Sequence, residues 1–321
     1  MALRKVQVAI PTKPRHKEQF KSALPEATIK FSRLGELTDA EFAELDALVG
    51  NPGPETLPKL KNLKILQLAS SGVPPHLLKL KDMLPDIVLC STSGAFGQAI
   101  SEHMLAMLLS LMKRLHEYRD DQGKEVWKDR GSVRSFRNMR VLVVGAGNIG
   151  TEFAKLVKLL GADTVGIRRT VSKQDAAFDE LRTMDALDEL LPQADAVAMS
   201  LPETEETIAL MDKRRFGLMK KDSYLINVGR GSAVDQDALL DALRTGHLAG
   251  AAVDVTTPEP LPPDHPMWRE KNLLITPHIS GYNHLQVTQD NIVEIACANL
   301  AAWPDGPFTS LIDFETGYRA K

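Results

Sequence analysis

The sequence predicts an α/β protein of two doubly wound parallel sheets, and three observations carry that prediction. Short apolar runs alternate with amphipathic helical patterns, as βαβ units require. The 321 residues are more than one ordinary domain needs. A long apolar helical pattern interrupts the alternation once, after which it resumes with a glycine-rich turn set between a strand and a helix.

The first set of strands is expected at 6–10 (VQVAI), 27–31 (ATIKF), 47–49 (ALV), 64–68 (KILQL) and 86–90 (DIVLC). Amphipathic stretches such as 39–45 and 75–80 lie between them. Residues 99–118, AISEHMLAMLLSLMKRLHEY, form the long pattern, apolar on more than one face and so suited to burial between domains or subunits. A polar loop over 119–138 carries Trp127. The second set follows at 141–145, 164–167, 196–200, 224–227, 250–254 and 273–276, and a final helix at about 283–303 is expected to return to the first sheet.

Composition narrows the function classes. A net charge of −3, with 25% charged residues, gives no basic field for nucleic acid or an anionic membrane. No apolar run approaches the roughly 18 residues of a membrane span. Cys90 and Cys297 are too few and too far apart for a disulfide framework or a metal cage, so no metal is expected. The opening MALRKVQVAIPTKP moves into a strand without a secretory pattern, which points to the cytoplasm.

GAGNIG, Gly145–Gly150, follows the strand 140–144 and precedes the helical TEFAKLVKLL. In that context the pattern suits a dinucleotide pyrophosphate. Gly145 makes the tight turn, Gly147 admits the ligand to the backbone, and Gly150 lets helix pack on strand. Amides around Asn148 and Ile149 would hold the anion. A ribose-binding carboxylate is expected about 20 residues further on. Arg168 stands there instead, followed by Arg169 and Thr170. Two readings stay open: a solvated strand end, or a site for a 2′-phosphate. The second makes NADP(H) the preferred cofactor with NAD(H) possible, since a charge-assisted contact contributes roughly 1.5–3 kcal/mol.

Three polar residues follow apolar strands in the C-terminal half, where open α/β sheets place ligands. They are Arg230 in NVGRG, Glu259 in DVTTPEPLP and His278 in TPHISG, each beside Gly or Pro. Any one of them alone reads equally as a structural or surface residue.

Taken together, GAGNIG, SLPETEET (200–207), NVGRG (227–231), AAVDVTTPEPLP (251–262) and TPHISG (276–281) resemble the D-isomer-specific 2-hydroxyacid dehydrogenases. The likeness extends to ASSGV (69–73) and SGAFGQAISEH (93–103), and so covers nearly the whole chain. It implies a Rossmann dinucleotide domain, 99–285, inserted into a flavodoxin-like substrate domain, 1–98 with 286–321, hinged near 91–98 and 281–286. It implies a catalytic triad of Arg230, Glu259 and His278. His278 would exchange a proton with the substrate oxygen, Glu259 would keep the imidazole protonated for reduction, and Arg230 would clamp a 2-oxo acid and polarise its carbonyl. Amides around Ser71 and Gly72 would hold the substrate carboxylate. Leu201, Pro202, Val228 and Asp254 would line the cofactor, Asp254 near the nicotinamide carboxamide. A homodimer through the long helix and the loop after it is also implied, with Trp127 either reaching the partner's site or packing.

Departures from the family pattern are Pro74 for a frequent Asp, Ser91 for a frequent Asn, and Ser280 and Tyr282 after His278. Tyr282 would narrow the substrate pocket, offer it a hydroxyl, or simply pack. The arginine at the second strand end is shared with the glyoxylate and hydroxypyruvate reductases of the family, which favour short 2-oxo acids. Rival readings are a formate dehydrogenase-like enzyme, which Glu259 in place of glutamine disfavours, and a corepressor-like dinucleotide-sensing protein on the same fold.

Overall fold

The computed structural model describes residues 2–171, 175–281, 284–317 and 319–320. Two compact units result, Met1–Phe96 with Asn283–Lys321, and Gly97–Tyr282. Each contains one wholly parallel sheet.

The first sheet comprises β1 (Lys5–Val8), β2 (Thr28–Phe31), β3 (Ala47–Val49), β4 (Ile65–Gln67) and β5 (Val88–Cys90), in the order β2-β1-β3-β4-β5. This is the flavodoxin-like order. Its helices are α1 (Pro14–Ala23), α2 (Asp39–Ala43), α3 (Pro75–Leu78), α4 (Leu80–Met83) and, from the C-terminal segment, α11 (Gln286–Ala301). Strands buried on both faces explain the near-continuous apolar runs. Leu48, Leu66 and Leu89 face one core cluster, while Ala47, Val49 and Ile65 face the other with Phe20 of α1 and Val293, Ala296 and Leu300 of α11. The last helix therefore completes the first sheet.

The second sheet comprises β6 (Arg140–Val144), β7 (Asp163–Ile167), β8 (Glu180–Arg182), β9 (Ala196–Met199), β10 (Ser223–Asn227), β11 (Leu248–Val253) and β12 (Leu273–Ile275). The order β12-β11-β10-β9-β6-β7-β8 is that of a Rossmann sheet with one more strand at its far edge. Strand order reverses beside β6, whose neighbours are β7 and β9, so the ligand crevice of such a sheet opens there. The unit's helices are α5 (Gly97–Met112), α6 (Leu115–Gln122), α7 (Asn148–Leu159), α8 (Leu187–Leu190), α9 (Lys213–Leu218) and α10 (Gln236–Arg244). Aspartates start two of them: Asp212 accepts the Arg215 N–H at 2.8 Å, and Asp235 accepts that of Ala238 at 3.0 Å.

Two expectations need correction. The single long helix over 99–118 is two helices, because Arg114 adopts a left-handed φ of 58°. Its side chain fastens the break, Nε donating to Glu117 at 2.7 Å and a guanidinium N–H to the Arg130 carbonyl. The polar loop accordingly begins after Gln122. The second sheet also has a strand, β8, that its sequence ELR hides. Only Leu181 there is apolar, and it packs with Phe178 over the bare face of Gly166, where a Cβ would meet both within 2.8 Å.

Candidate active site

Close backbone approaches shape the glycine loop between β6 and α7. A Cβ on Gly150 would lie 2.3 Å from the Gly145 carbonyl oxygen and 2.8 Å from Val143, so only glycine lets the helix leave the sheet here. Gly147 differs, for a Cβ on it would meet no atom within 4 Å. Gly147 is the N-cap of α7, and the first turn carries no acidic side chain. The first return bond runs from Thr151 N–H to the Gly147 carbonyl at 2.8 Å, so the preceding amides lack helical partners. Open space in front of those amides, at the positive end of a twelve-residue helix, fits a pyrophosphate. Leu201 is buried beside this loop, Val228 is buried after β10, and Pro202 is exposed.

Arg168 follows directly on β7, its N–H bonded to the Arg182 carbonyl at 3.1 Å. Arg169 and Thr170 are exposed. Three cationic or hydroxyl-bearing residues thus stand at the carboxyl end of the strand adjoining β6.

The NVGRG turn after β10 is set by Asn227. This buried side chain donates to the Arg230 carbonyl at 3.0 Å and accepts the Gly229 N–H at 3.0 Å. A Cβ on Gly229 would lie 2.5 Å from the Leu201 carbonyl oxygen, and one on Gly231 2.1 Å from that of Thr256. The turn is therefore wedged between the loops that leave β9 and β11. The Arg230 guanidinium donates to the Gly229 carbonyl at 2.8 Å and reaches neither Glu259 nor His278.

Glu259 and His278 do meet. Glu259 Oε2 lies 2.7 Å from His278 Nδ1, and Oε1 accepts the Thr256 N–H at 3.1 Å. Gln236, at the start of α10, holds the same loop by a paired contact. Its Nε2 donates to the Thr257 carbonyl at 2.5 Å, and its Oε1 accepts the Thr257 N–H at 3.1 Å. His278 has a φ of 53°, a conformation that a non-glycine residue keeps only when its surroundings over-determine it. The surroundings here centre on Asp254. The His278 N–H donates to the Asp254 carbonyl at 2.7 Å. The Asp254 carboxylate accepts from Thr276 Oγ1 at 2.5 Å, Ile279 N–H at 2.9 Å, Ser280 N–H at 3.0 Å and Ser280 Oγ at 2.5 Å. Asp254, expected near the nicotinamide, is wholly buried and turned into the loop that carries His278.

Ser71 and Gly72 lie in the other unit, in the turn after β4, where Ser70 Oγ donates to the Gly72 carbonyl at 2.8 Å. Tyr282 lies outside the described residues. Among the described residues no cluster of His, Cys, Asp or Glu could hold a metal, and no helix is long and apolar enough to cross a membrane. Sequence reasoning gave no role to Asn227, Gln236 or Thr276, although Asn227 and Thr276 lie inside the NVGRG and TPHISG motifs. Ser280 was noted only as a departure from the family pattern.

A parallel sheet with a helix N-terminus at its switch point, and a carboxylate–imidazole pair beyond adjoining strands, are features that a dinucleotide-dependent oxidoreductase would use. Residues 105–280 match the family described as "D-isomer specific 2-hydroxyacid dehydrogenase, NAD binding domain". A putative 2-hydroxyacid dehydrogenase of Haemophilus influenzae is 32% identical over 73% of this chain and 76% of its own. Glyoxylate/hydroxypyruvate reductase A of Photorhabdus laumondii is 28% identical over 92% of this chain and 93% of its own. Among solved structures, a D-isomer specific 2-hydroxyacid dehydrogenase family protein from Aeromonas salmonicida superposes with a TM-score of 0.84 at 32% identity, covering 98% of this chain and all of that one. The Xanthobacter autotrophicus enzyme gives 0.81 at 26% identity, over 99% of this chain and all of its own. The chain belongs to the D-isomer-specific 2-hydroxyacid dehydrogenase family. It is an oxidoreductase of 2-hydroxy acids that uses a nicotinamide dinucleotide.

Proposed function

We propose that this enzyme interconverts a small 2-oxo acid and its D-2-hydroxy acid, prefers NADP(H) over NAD(H), and uses Arg230, Glu259 and His278 as its catalytic triad. The observation that carries the reading is the 2.7 Å contact between Glu259 Oε2 and His278 Nδ1 on the ends of paired strands β11 and β12. With Nδ1 engaged, Nε2 is the ring nitrogen left to exchange a proton with the substrate oxygen. Glu259 orients the ring and stabilises the imidazolium from which that proton is given. Arg230 binds the substrate and stabilises the charge that develops on its carbonyl oxygen. In the first unit, the amides of Ser71 and Gly72 bind the substrate carboxylate. The bound dinucleotide supplies the hydride for reduction and accepts it for oxidation.

Residues 99–285 form the dinucleotide domain in this reading, and 1–98 with 286–321 the substrate domain. Gly145, Gly147, Asn148, Ile149 and Gly150 bind the pyrophosphate, and Leu201, Pro202 and Val228 line the rest of the cofactor. Arg168, Arg169 and Thr170 bind the 2′-phosphate, a reading supported by the Xanthobacter relative, solved in complex with NADPH. Short 2-oxo acids are the proposed substrates, in keeping with the Photorhabdus relative and with the glyoxylate reductase of Thermofilum pendens, 31% identical over 77% of this chain. The enzyme is taken to act in the cytoplasm as a homodimer. Fully exposed Trp127, with exposed Leu115, Tyr118, Val126 and Val133 nearby in the chain, offers the apolar surface for a second copy.

The test is consumption of NADPH and of NADH with glyoxylate, hydroxypyruvate, pyruvate and a branched 2-oxo acid. Turnover of at least one acid with a higher kcat/KM for NADPH is expected. No turnover across the panel would overturn the enzymatic reading of the triad and favour a dinucleotide-sensing role. Equal efficiency with both cofactors would overturn the assignment of the arginine pair.

A further inference from the structure

The Asp254 hub has a further member that the catalytic reading leaves unused. His103, in the middle of α5, places Nε2 at 3.0 Å from Thr276 Oγ1 and 3.9 Å from Asp254 Oδ1. A threonine hydroxyl has one hydrogen, and here it is directed to Asp254 Oδ1 at 2.5 Å. The contact with His103 therefore needs the histidine to donate. This yields a directed chain, His103 Nε2–H to Thr276 Oγ1–H to Asp254 Oδ1, ending on a carboxylate whose side chain is wholly buried. The other donors to that carboxylate belong to Ile279 and Ser280, within two residues of His278 and on the same loop. Among the described residues His103 alone enters the network from a helix, and that helix is long and well packed, with Met104, Met107 and Leu108 buried around it.

We propose that His103 is a positioning residue for the acid–base pair. Through Thr276 it holds the Asp254 carboxylate in the orientation that maintains the left-handed turn at His278, and so keeps Nδ1 in reach of Glu259. The proposal rests on the reading of His278 as the acid–base group. Its physical basis is over-determination: a strained turn persists only while its surroundings restrain it more than enough, and each restraint lost narrows that margin. Without the His103 donor, the Thr276 hydroxyl can rotate away from Asp254, and the turn loses a tie to a helix outside its own strand pair. Reaction geometry tolerates little of this, since a misplacement of about 1 Å can cost on the order of a hundredfold in rate.

The experiment uses four variants, His103→Leu, His103→Gln, Thr276→Val and the double variant His103→Leu/Thr276→Val. Kinetics are measured with NADPH and the fastest 2-oxo acid of the panel, and the His278 imidazole resonances are recorded in cofactor-free protein. His103→Leu and Thr276→Val should each lower kcat about tenfold and leave KM within about twofold. The double variant should be no slower than either single one, because both break one chain. His103→Gln, which retains an N–H donor, should recover most of the loss. The His278 resonances should shift in the Leu and Val variants and return in the Gln variant. Wild-type kcat with unshifted resonances in His103→Leu, or fully additive losses in the double variant, would overturn the proposal. His278→Ala, measured alongside, separates the two failures. If it keeps turnover, the acid–base reading fails; if it loses turnover while His103→Leu does not, only the positioning role fails.

Discussion

The loops that leave β12 and β7 both open at the carboxyl edge of the same sheet, yet they are built in different ways. Residues 276–280 hang from one buried carboxylate by four hydrogen bonds, and His278 occupies a backbone conformation that it would not choose alone. Residues 168–170 follow β7 directly, the Arg168 N–H donating to the Arg182 carbonyl of β8, and Arg169 and Thr170 are exposed. The contrast matches the physics of the two proposed tasks. Proton transfer needs a fixed distance and angle, so the loop is over-restrained. Selecting a charged group needs only charge of the right sign within reach, and long side chains at a strand end supply it.

The contrast is most sharply broken at the pair itself. His278→Ala should lower kcat by about 10²–10⁴-fold, and Glu259→Gln should lower it by less, with thermal stability little changed in both. Steady-state kinetics beside a melting curve would show it, and a large loss of stability would move these residues into the scaffold. Next in size is the neighbouring turn. Gly231→Ala drives a methyl into the Thr256 carbonyl, which would have to shift. A loss of about 1–3 kcal/mol in denaturant unfolding is expected, together with impaired turnover. The β7 loop should answer differently. Arg168→Ala and Arg169→Ala should each reduce the NADPH-over-NADH ratio of kcat/KM by roughly ten- to a hundredfold and leave the melting temperature unchanged.

The smallest effect concerns the far end of the β7–β8 connection, where Asp179 ties the chain down. It accepts from Lys158 at 2.8 Å and from the N–H and hydroxyl of Thr164 at 2.9 and 3.0 Å. The Lys158 ammonium, with the Thr164 N–H behind it, brings the Asp179 carboxyl down from an ordinary 3.8 to about 2. A carboxyl whose folded value lies below its unfolded one stabilises the fold above the unfolded value and loses that contribution as pH falls through the folded one. Asp179→Asn should therefore melt slightly earlier than the parent at neutral pH. The gap should close between about pH 4 and pH 2, and a gap independent of pH would mean that charge is not its source.

Much of this was legible in the sequence, and the failures have physical causes. All strands but one were visible, most of them because strands buried on both faces of a parallel sheet must be continuously apolar. β8 escaped because an edge strand of three residues needs only Leu181 for its packing. The break at Arg114 escaped because its restraints come from Glu117 and Arg130, and a helical period does not report a side chain's partner. Glu259 and His278 were found through motifs, and they do meet. Asp254 was also found, but its surroundings were not, since the residues bound to it begin 22 positions further along the chain. Motifs single out residues well; they do not say which way a carboxylate faces.

Gly147 separates two demands that the loop's other glycines confuse. Its backbone, at φ −89° and ψ −158°, suits any residue, and a methyl added there would touch nothing. Gly150 has no such latitude. A library of substitutions at 147, sorted for folded protein in the absence of dinucleotide, should pass many side chains, and the same library sorted for turnover should pass almost none. At 150 both sorts should return glycine. The first position would thus be written by the ligand and the second by the fold, a division that could be drawn residue by residue around the whole cofactor without ever soaking it in.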